Sequence, residues 1–236
     1  MTFKESGKLK AVTFSYDDGV TQDLKLISIL NKYGLKATFN ISSNKFGTGY
    51  IHVKNNESFA TGYKFLPEHL NRVYEGHEVA VHTLDHINLT EQTDEEIIRQ
   101  VEEDRINLSK LMGYEVVGMA YPCGGVNNDD RVAKVIKNNT GVKYCRTTTN
   151  TDSFDIQDNL YRFNPNVYHV IQFDRMMEMG REFIELKPDK PQIYYIWGHS
   201  YEFDFEADYW QKIEEFCKLI SGHDDIFYGT NSEVLL

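Results

Sequence analysis

The chain has 236 residues and a mass of 27.5 kDa, a length that fits one large domain and that α/β barrels often reach. Its formal net charge is −11 and its calculated isoelectric point is about 5.2. Partners that need a basic face are therefore excluded, and we expect neither nucleic acid nor an anionic membrane surface as a partner. The three cysteines contain no CxxC pair, which excludes a zinc ribbon and a disulfide framework.

No apolar stretch of the sequence is long enough to span a bilayer, and residues 1–10 are too polar for a signal peptide. We therefore expect a cytoplasmic protein, or an exported one if a leader has been removed. No repeat, low-complexity tract or linker divides the chain. Residues 1–236 are accordingly expected to form a single domain.

Strand-like and helix-like patterns alternate along the chain, which favours a mostly parallel sheet with crossover helices. The predicted elements are, in order, a strand at 11–17, a helix carrying Leu24, Ile27, Leu30 and Tyr33, a strand at 36–41, a long surface loop at 42–63, a helix at 67–75 and a strand at 79–81. They continue with a helix at 94–112, a strand at 116–121, a helix carrying Val132, Val135 and Ile136, a strand at 142–147, a helix at 172–186, a strand at 192–197 and a final long helix through Trp210, Ile213, Phe216 and Ile220.

Polar residues follow the apolar runs where several predicted strands end. Asp17 and Asp18 close the first strand, His82 and His86 follow another, and His199 follows a third. The ends of parallel strands in a barrel meet on one face. Two adjacent aspartates repel each other, and one carboxylate with two imidazoles is a common ligand set for a catalytic divalent metal. The sequence therefore predicts a metal site with a second aspartate available as a base.

Each of these motifs also has a structural interpretation. An Asp-Gly pair is a common turn signal, and a histidine after a strand is often only hydrogen-bonded to its surroundings. Cys123 offers a rival hypothesis, a thiol nucleophile paired with a histidine, although nothing in the sequence marks an activated thiolate. His169 stays unassigned, and His52 is expected at the surface.

Together the motifs resemble the polysaccharide deacetylase family, the NodB-type carbohydrate esterases, from residue 9 to residue 199. Segment 13–19 is similar to the family's TFDDG-type first motif, and segment 82–86 matches its H-[S/T]-x-x-H motif. Segment 121–124 is similar to the third motif, and His199 to the histidine of the last one. The resemblance implies a distorted (β/α) barrel with about seven parallel strands. It also implies a metal-dependent hydrolase that removes N-acetyl groups from an amino-sugar oligo- or polysaccharide.

The same resemblance implies roles for individual residues. Asp18, His82 and His86 would hold a divalent metal, zinc in the first place, with cobalt or nickel as alternatives. Asp17 would act as the base towards a metal-activated water, and His199 would protonate the leaving amine. The partner would be an N-acetylated saccharide, and the oligomeric state is left open.

The third motif supplies the remaining candidates. The backbone N–H of Cys123 would stabilise the oxyanion, with Tyr121 beside it as an oxyanion or substrate-binding residue. Where this chain has Ala120, the family often has an arginine that orients the catalytic aspartate. Arg146, at the end of the next strand, is our candidate to supply that charge from its position alone, and we count it with Cys123 and Tyr121 as an oxyanion or substrate-binding residue. The family's fourth motif has no match that we assign.

These departures keep two alternatives open. One is hydrolysis of a non-sugar C–N bond on the same fold. The other is a catalytically silent carbohydrate-binding relative. The presence of base, metal ligands and acid together argues against the second, because binding alone needs no such set.

Overall fold

The computed structural model describes residues 1–54 and 58–236, and residues 55–57 of the predicted loop at 42–63 lie outside the described residues. The strands are β1 (Lys10–Asp17), β2 (Ala37–Ile41), β3 (Gly49–Lys54), β4 (Ser58–Tyr63), β5 (Glu78–Val81), β6 (Gly118–Ala120), β7 (Tyr144–Arg146), β8 (Val167–Tyr168), β9 (Gln192–Gly198) and β10 (Ile226–Tyr228). The helices are α1 (Phe3–Ser6), α2 (Asp23–Lys32), α3 (Leu70–Val73), α4 (Asp94–Met112), α5 (Asp130–Asn139), α6 (Phe173–Glu185), α7 (Tyr209–Ile220) and α8 (Asn231–Leu235).

The main sheet is parallel throughout the described residues. Seven of its strands follow one another in the order β7-β6-β5-β2-β1-β9-β8, and β10 pairs with β1 off this path. β10 lies beside the first residues of β1, whereas β2 pairs with its last four, so the two share one edge of that strand. The curled sheet and its helices confirm the predicted distorted (β/α) barrel.

Strand β1 occupies the centre of this sheet. All of its residues are buried, as expected for a parallel strand that is covered on both faces. It pairs with β2 on one side and with β9 on the other, so its last residue, Asp17, reaches the carboxyl edge of the sheet between two neighbours. β1 therefore places the carboxylate of Asp17 at the centre of the carboxyl edge of the sheet.

The predicted helices are confirmed except at 67–75, where a 3-10 turn (Pro67–His69) precedes the four residues of α3. The buried face of α2 also differs from the prediction. Leu26 and Leu30 are buried, whereas Leu24 is 53% exposed, so its place in the predicted apolar stripe is wrong. The buried residue of the first turn is Asp23, whose carboxylate accepts hydrogen bonds from the hydroxyls of Tyr74 and Ser200 and so fixes the rotation of the helix. Within the described residues, no helix has both the length and the apolar character needed to cross a bilayer.

The predicted surface loop at 42–63 is wrong for much of its length. β3 and β4 pair as an antiparallel hairpin, with Gly49 opposite Tyr63. One face of the hairpin carries His52, which stacks on Tyr201 at 4.2 Å between ring centroids, so His52 is not the surface residue that we expected. The many Gly, Asn and Ser residues of this segment hide its alternating pattern.

The corrected face of α2 can be tested with one substitution at two positions. Leu30→Ala should lower the free energy of unfolding by about 2–5 kcal/mol, because it leaves a cavity in the core. Leu24→Ala in the same helix should change it by less than about 0.5 kcal/mol. Urea denaturation measures both values, and equal losses would contradict the structure.

Candidate active site

The carboxyl ends of four strands bring the candidate residues together. Asp17 is the last residue of β1 and Arg146 the last of β7, while His82 directly follows β5 and His199 directly follows β9. Because these strands are parallel, all four side chains lie at the same edge of the sheet. The structure therefore brings the residues at these strand ends together, and the contacts among them are described next.

Asp17 is fixed by two partners. Arg146 donates from Nη2 to both carboxylate oxygens, at 2.6 and 2.5 Å, and Asn40 Nδ2 donates to Oδ1 at 2.8 Å. Burial alone would raise the pKa of Asp17, but the Arg146 guanidinium, followed by His82 and His199, holds that pKa below its usual range. Asp17 is therefore an ionised carboxylate at neutral pH.

Arg146 is itself fully buried. Its guanidinium carbon lies 4.5 Å from the centre of the Trp197 ring, and that ring stacks on Tyr168. The contact with Asp17 that we expected from position is present. The burial contradicts the expected substrate contact of Arg146, so we describe it as a positioning residue for Asp17.

Asp18, His82 and His86 form a cluster beside Asp17. One ligand atom from each lies within 4.8 Å of the other two, and His86 Nε2 is 3.6 Å from Asp18 Oδ1. His82 Nδ1 lies 2.9 Å from the carbonyl oxygen of Ala120. Since a carbonyl can only accept, Nδ1 carries the proton and Nε2 keeps a lone pair for the cluster.

The donor set of this cluster fits a divalent metal. Burial lowers the pKa of His82 to about 4, against the opposing effect of Asp17, so this imidazole is neutral and able to act as a ligand. One carboxylate and two neutral imidazoles suit Zn²⁺ and similar ions. The fold also holds the ligands under backbone strain, because Asp18 and His86 have φ of 86° and 58°.

His199 lies on the other side of Asp17. Its Nε2 is 3.9 Å from Asp17 Oδ2, and its Nδ1 is 3.3 Å from Glu202 Oε2. Burial alone would lower the pKa of His199, but the carboxylates of Glu202 and Asp17 raise it to about 9. His199 is therefore protonated at neutral pH and can donate a proton.

Glu202 is held in turn by other polar groups. It accepts a hydrogen bond from the backbone N–H of His199 at 3.0 Å, one from the hydroxyl of Tyr168, and it lies 2.9 Å from Nε2 of His169. His169, which the sequence left unassigned, is fully buried in this network. The network fixes both the position and the charge of the His199 ring.

The third motif agrees with the prediction only in part. Tyr121 is fully buried and its hydroxyl donates to the carbonyl oxygen of Tyr161 at 2.8 Å, which contradicts a role for this side chain in substrate binding. Cys123 has a φ of 68°, and its thiol lies 3.8 Å from the carbonyl oxygen of His86. Burial raises the pKa of the Cys123 thiol, which argues against the rival hypothesis of a thiolate nucleophile.

Sequence reasoning missed three residues of this site. Glu202 follows His199 at a spacing of three, a signal that a search for carboxylates near the histidine would have found. Asn40 is opposite Asp17 in the register of β1 and β2, which requires knowledge of the strand pairing. Lys64, whose Nζ lies 2.8 Å from Asp18 Oδ1, gives no signal in the sequence because 46 residues separate the two.

Comparison with known proteins identifies the family of this chain. The family model for polysaccharide deacetylases matches residues 4–144, more than half of the chain. The chain belongs to the polysaccharide deacetylase family. No curated protein matches the sequence.

Several solved structures share the fold of this family member. A T48 deacetylase with substrate has a TM-score of 0.58 at 17% identity, with 95% of this chain and 90% of that chain covered. Peptidoglycan deacetylase PdaC from Bacillus subtilis has a TM-score of 0.55 at 19% identity, covering 96% and 90%. The Xyl-CE4 domain of a multidomain xylanase from the hindgut metagenome of Trinervitermes trinervoides reaches 0.54 at 18% identity, covering 96% and 88%. At such identities the likeness shows the fold alone.

The buried pair of Arg146 and Asp17 can be tested without an activity assay. Arg146→Met should lower the free energy of unfolding by about 3–5 kcal/mol, because it leaves a buried carboxylate without its counter-charge. In an Asp17→Asn background the same substitution should cost much less. A double-mutant cycle by denaturant unfolding measures the difference, and additive effects would show that the pair is not coupled.

Proposed function

We propose that this protein is a metal-dependent hydrolase that removes N-acetyl groups from an amino-sugar oligo- or polysaccharide. One observation carries the proposal: Asp17 Oδ2 lies 3.9 Å from His82 Nε2 and 3.9 Å from His199 Nε2. A single ionised carboxylate is thus flanked by a metal-ligand cluster and by a protonated imidazole. Membership of the polysaccharide deacetylase family supports deacetylation of a sugar substrate.

Asp18, His82 and His86 would hold the metal, and we propose zinc, with cobalt or nickel as alternatives. When bound, the metal would supply Lewis acidity, which lowers the pKa of water and polarises a carbonyl oxygen. The neutral His82 and the ionised Asp18 are already in the protonation states that ligands need. Although burial opposes ionisation, Lys64 and then the neighbouring histidines hold the pKa of Asp18 below its usual range.

Asp17 would act as the general base. Its lowered pKa makes it a weak base, so it can take a proton only from a water that is already acidified. This requirement explains why the base sits directly beside the ligand cluster. Arg146 and Asn40 would hold the carboxylate in place throughout, so that no reorganisation is needed when the proton moves.

His199 would act as the general acid at the nitrogen of the scissile amide. An amide nitrogen leaves only after protonation, because the amine anion is far too basic to be expelled. The ring is charged before the reaction begins, and Glu202 orients it through Nδ1, which leaves Nε2 to donate. The Cys123 backbone N–H remains our proposal for a donor to the oxyanion.

The base can be tested by acetate release from N-acetylglucosamine oligomers. We expect metal-dependent release by the wild type, and a fall in kcat of about 10²–10⁴-fold on Asp17→Asn, the range for losing a positioned acid or base. Asp155→Asn, which changes an exposed carboxylate paired with Lys190, is the matched control and should leave kcat unchanged.

The outcomes distinguish the alternatives. A metal-loaded wild type that releases no acetate from any acylated sugar but hydrolyses small amides would favour the non-sugar hydrolase. A metal-loaded protein that binds saccharides and hydrolyses neither would favour the silent relative.

The acid can be tested by changing the leaving group. His199→Ala should lower kcat on an N-acetyl amide by about 10²–10⁴-fold, yet change hydrolysis of an aryl acetate ester little, because a phenolate leaves without a proton. Glu202→Gln should likewise lower kcat on the amide relative to kcat on the ester. Glu206→Gln, at an exposed carboxylate that pairs with Lys54, is the control. Equal losses on amide and ester would contradict the acid role.

A further inference from the structure

The ammonium group of a lysine contacts Asp18, one of the three residues that would hold a metal. Lys64 Nζ lies 2.8 Å from Asp18 Oδ1, and the same oxygen is 3.6 Å from His86 Nε2. Both side chains of this ion pair are largely buried, with Lys64 only 14% exposed. The contact is therefore shielded from solvent. Electrostatic interactions between a buried charge pair of this kind and nearby charged groups are stronger than they would be in water.

The backbone directs Lys64 onto this position. An isolated bridge pairs Lys64 with Val20, two residues after Asp18. The next residue, Phe65, donates its backbone N–H to the carbonyl oxygen of Gly19 at 3.1 Å. The segment that carries the lysine is thus fixed against the segment that carries the ligand. Lys64 thus differs from an exposed lysine, whose side chain samples many rotamers.

Two cations cannot share Asp18 Oδ1 without strong repulsion. A metal bonded to this oxygen at about 2.0–2.2 Å would lie within roughly 5 Å of an ammonium group hydrogen-bonded to the same oxygen. Repulsion between a divalent ion and an ammonium group at that distance is large in a buried site. Either the lysine moves away or the metal binds more weakly.

We propose that Lys64 competes with the metal for Asp18 and thereby lowers the metal affinity of the site. This inference rests on the ligand cluster of the proposed function. Without metal, the ammonium group balances the charge of a buried carboxylate and keeps the site folded. On metal binding, the contact between Lys64 and Asp18 Oδ1 is given up. The lysine therefore stabilises the metal-free protein and lowers the affinity of the site for the metal.

The test is the zinc affinity of the whole protein, measured by competition with a chromophoric chelator. Lys64→Met should bind zinc more tightly, by about 10- to 100-fold, the range over which partners of metal ligands change affinity. Lys64→Arg, which keeps the charge, should stay near the wild type. Lys36→Met is the matched control. Lys36 forms an ion pair with Glu233 just before the first residue of β2, at the end of that strand away from the ligand cluster.

Thermal unfolding gives a second, independent result. Lys64→Met should lower the Tm of the metal-free protein, because Asp18 loses its counter-charge, and should enlarge the rise in Tm on adding zinc. A merely structural lysine would lower both values of Tm together. If Lys64→Met does not fold, Lys64→Gln, which keeps a hydrogen-bond donor without the charge, allows the same comparison.

Zinc affinity that is unchanged or weaker in the neutral variants would overturn the proposal. That result is distinct from failure of the proposed function, which is measured by acetate release from the zinc-loaded wild type. Absence of release would contradict the hydrolase, whereas equal affinities would contradict only the competition by Lys64.

Discussion

The site depends on one buried ion pair, between Asp17 at the end of β1 and Arg146 at the end of β7. In the sheet order, β7 lies four strands from β1. Four strand spacings of about 4.8 Å amount to about 19 Å in a flat sheet, farther than an arginine side chain reaches. The pair can form only because the sheet curls, and the curl brings the strand ends around a common centre. A carboxylate buried at that centre needs a fixed counter-charge, and the guanidinium supplies it.

The environment of each residue separates groups that are chemically alike. Asp17 faces Arg146 and Asn40, whereas its neighbour Asp18 faces Lys64 and the ligand histidines. The pKa of His82 falls to about 4 through burial, and that of His199 rises to about 9, since the carboxylates beside it outweigh its burial. A neutral imidazole suits a metal ligand, and a charged one suits a proton donor. Opposite shifts in one site are the usual way in which a protein assigns different roles to identical side chains.

Much of the fold could be predicted from local signals. The sequence of β1 is mostly apolar up to its aspartates. Helix α4 begins after the N-cap Thr93 with an acidic first turn, and it ends before Gly113, which adopts the left-handed conformation. Such elements carry their own boundaries. β8 and β10 are absent from the predicted strands because polar residues or a glycine flank their two or three apolar residues, whereas β6 and β7, which are as short, lie within the longer predicted segments at 116–121 and 142–147. The hairpin of β3 and β4 is absent from the prediction because a glycine stands in each strand, Gly49 and Gly62, and because the pairing of two strands is a contact between separate segments.

The sequence by itself determined which chemical groups stand at the strand ends: an Asp-Asp pair, a histidine pair at a spacing of four, and a histidine after the strand that becomes β9. These groups can be found from the sequence because each directly follows an apolar strand segment within a short motif. The tertiary structure alone decided that Lys64 meets Asp18, that Glu202 is shared by two histidines, and that Tyr121 points into the core. These contacts depend on how far the sheet curls and which loops fold over its edge, and no spacing along the chain encodes a distance across a barrel.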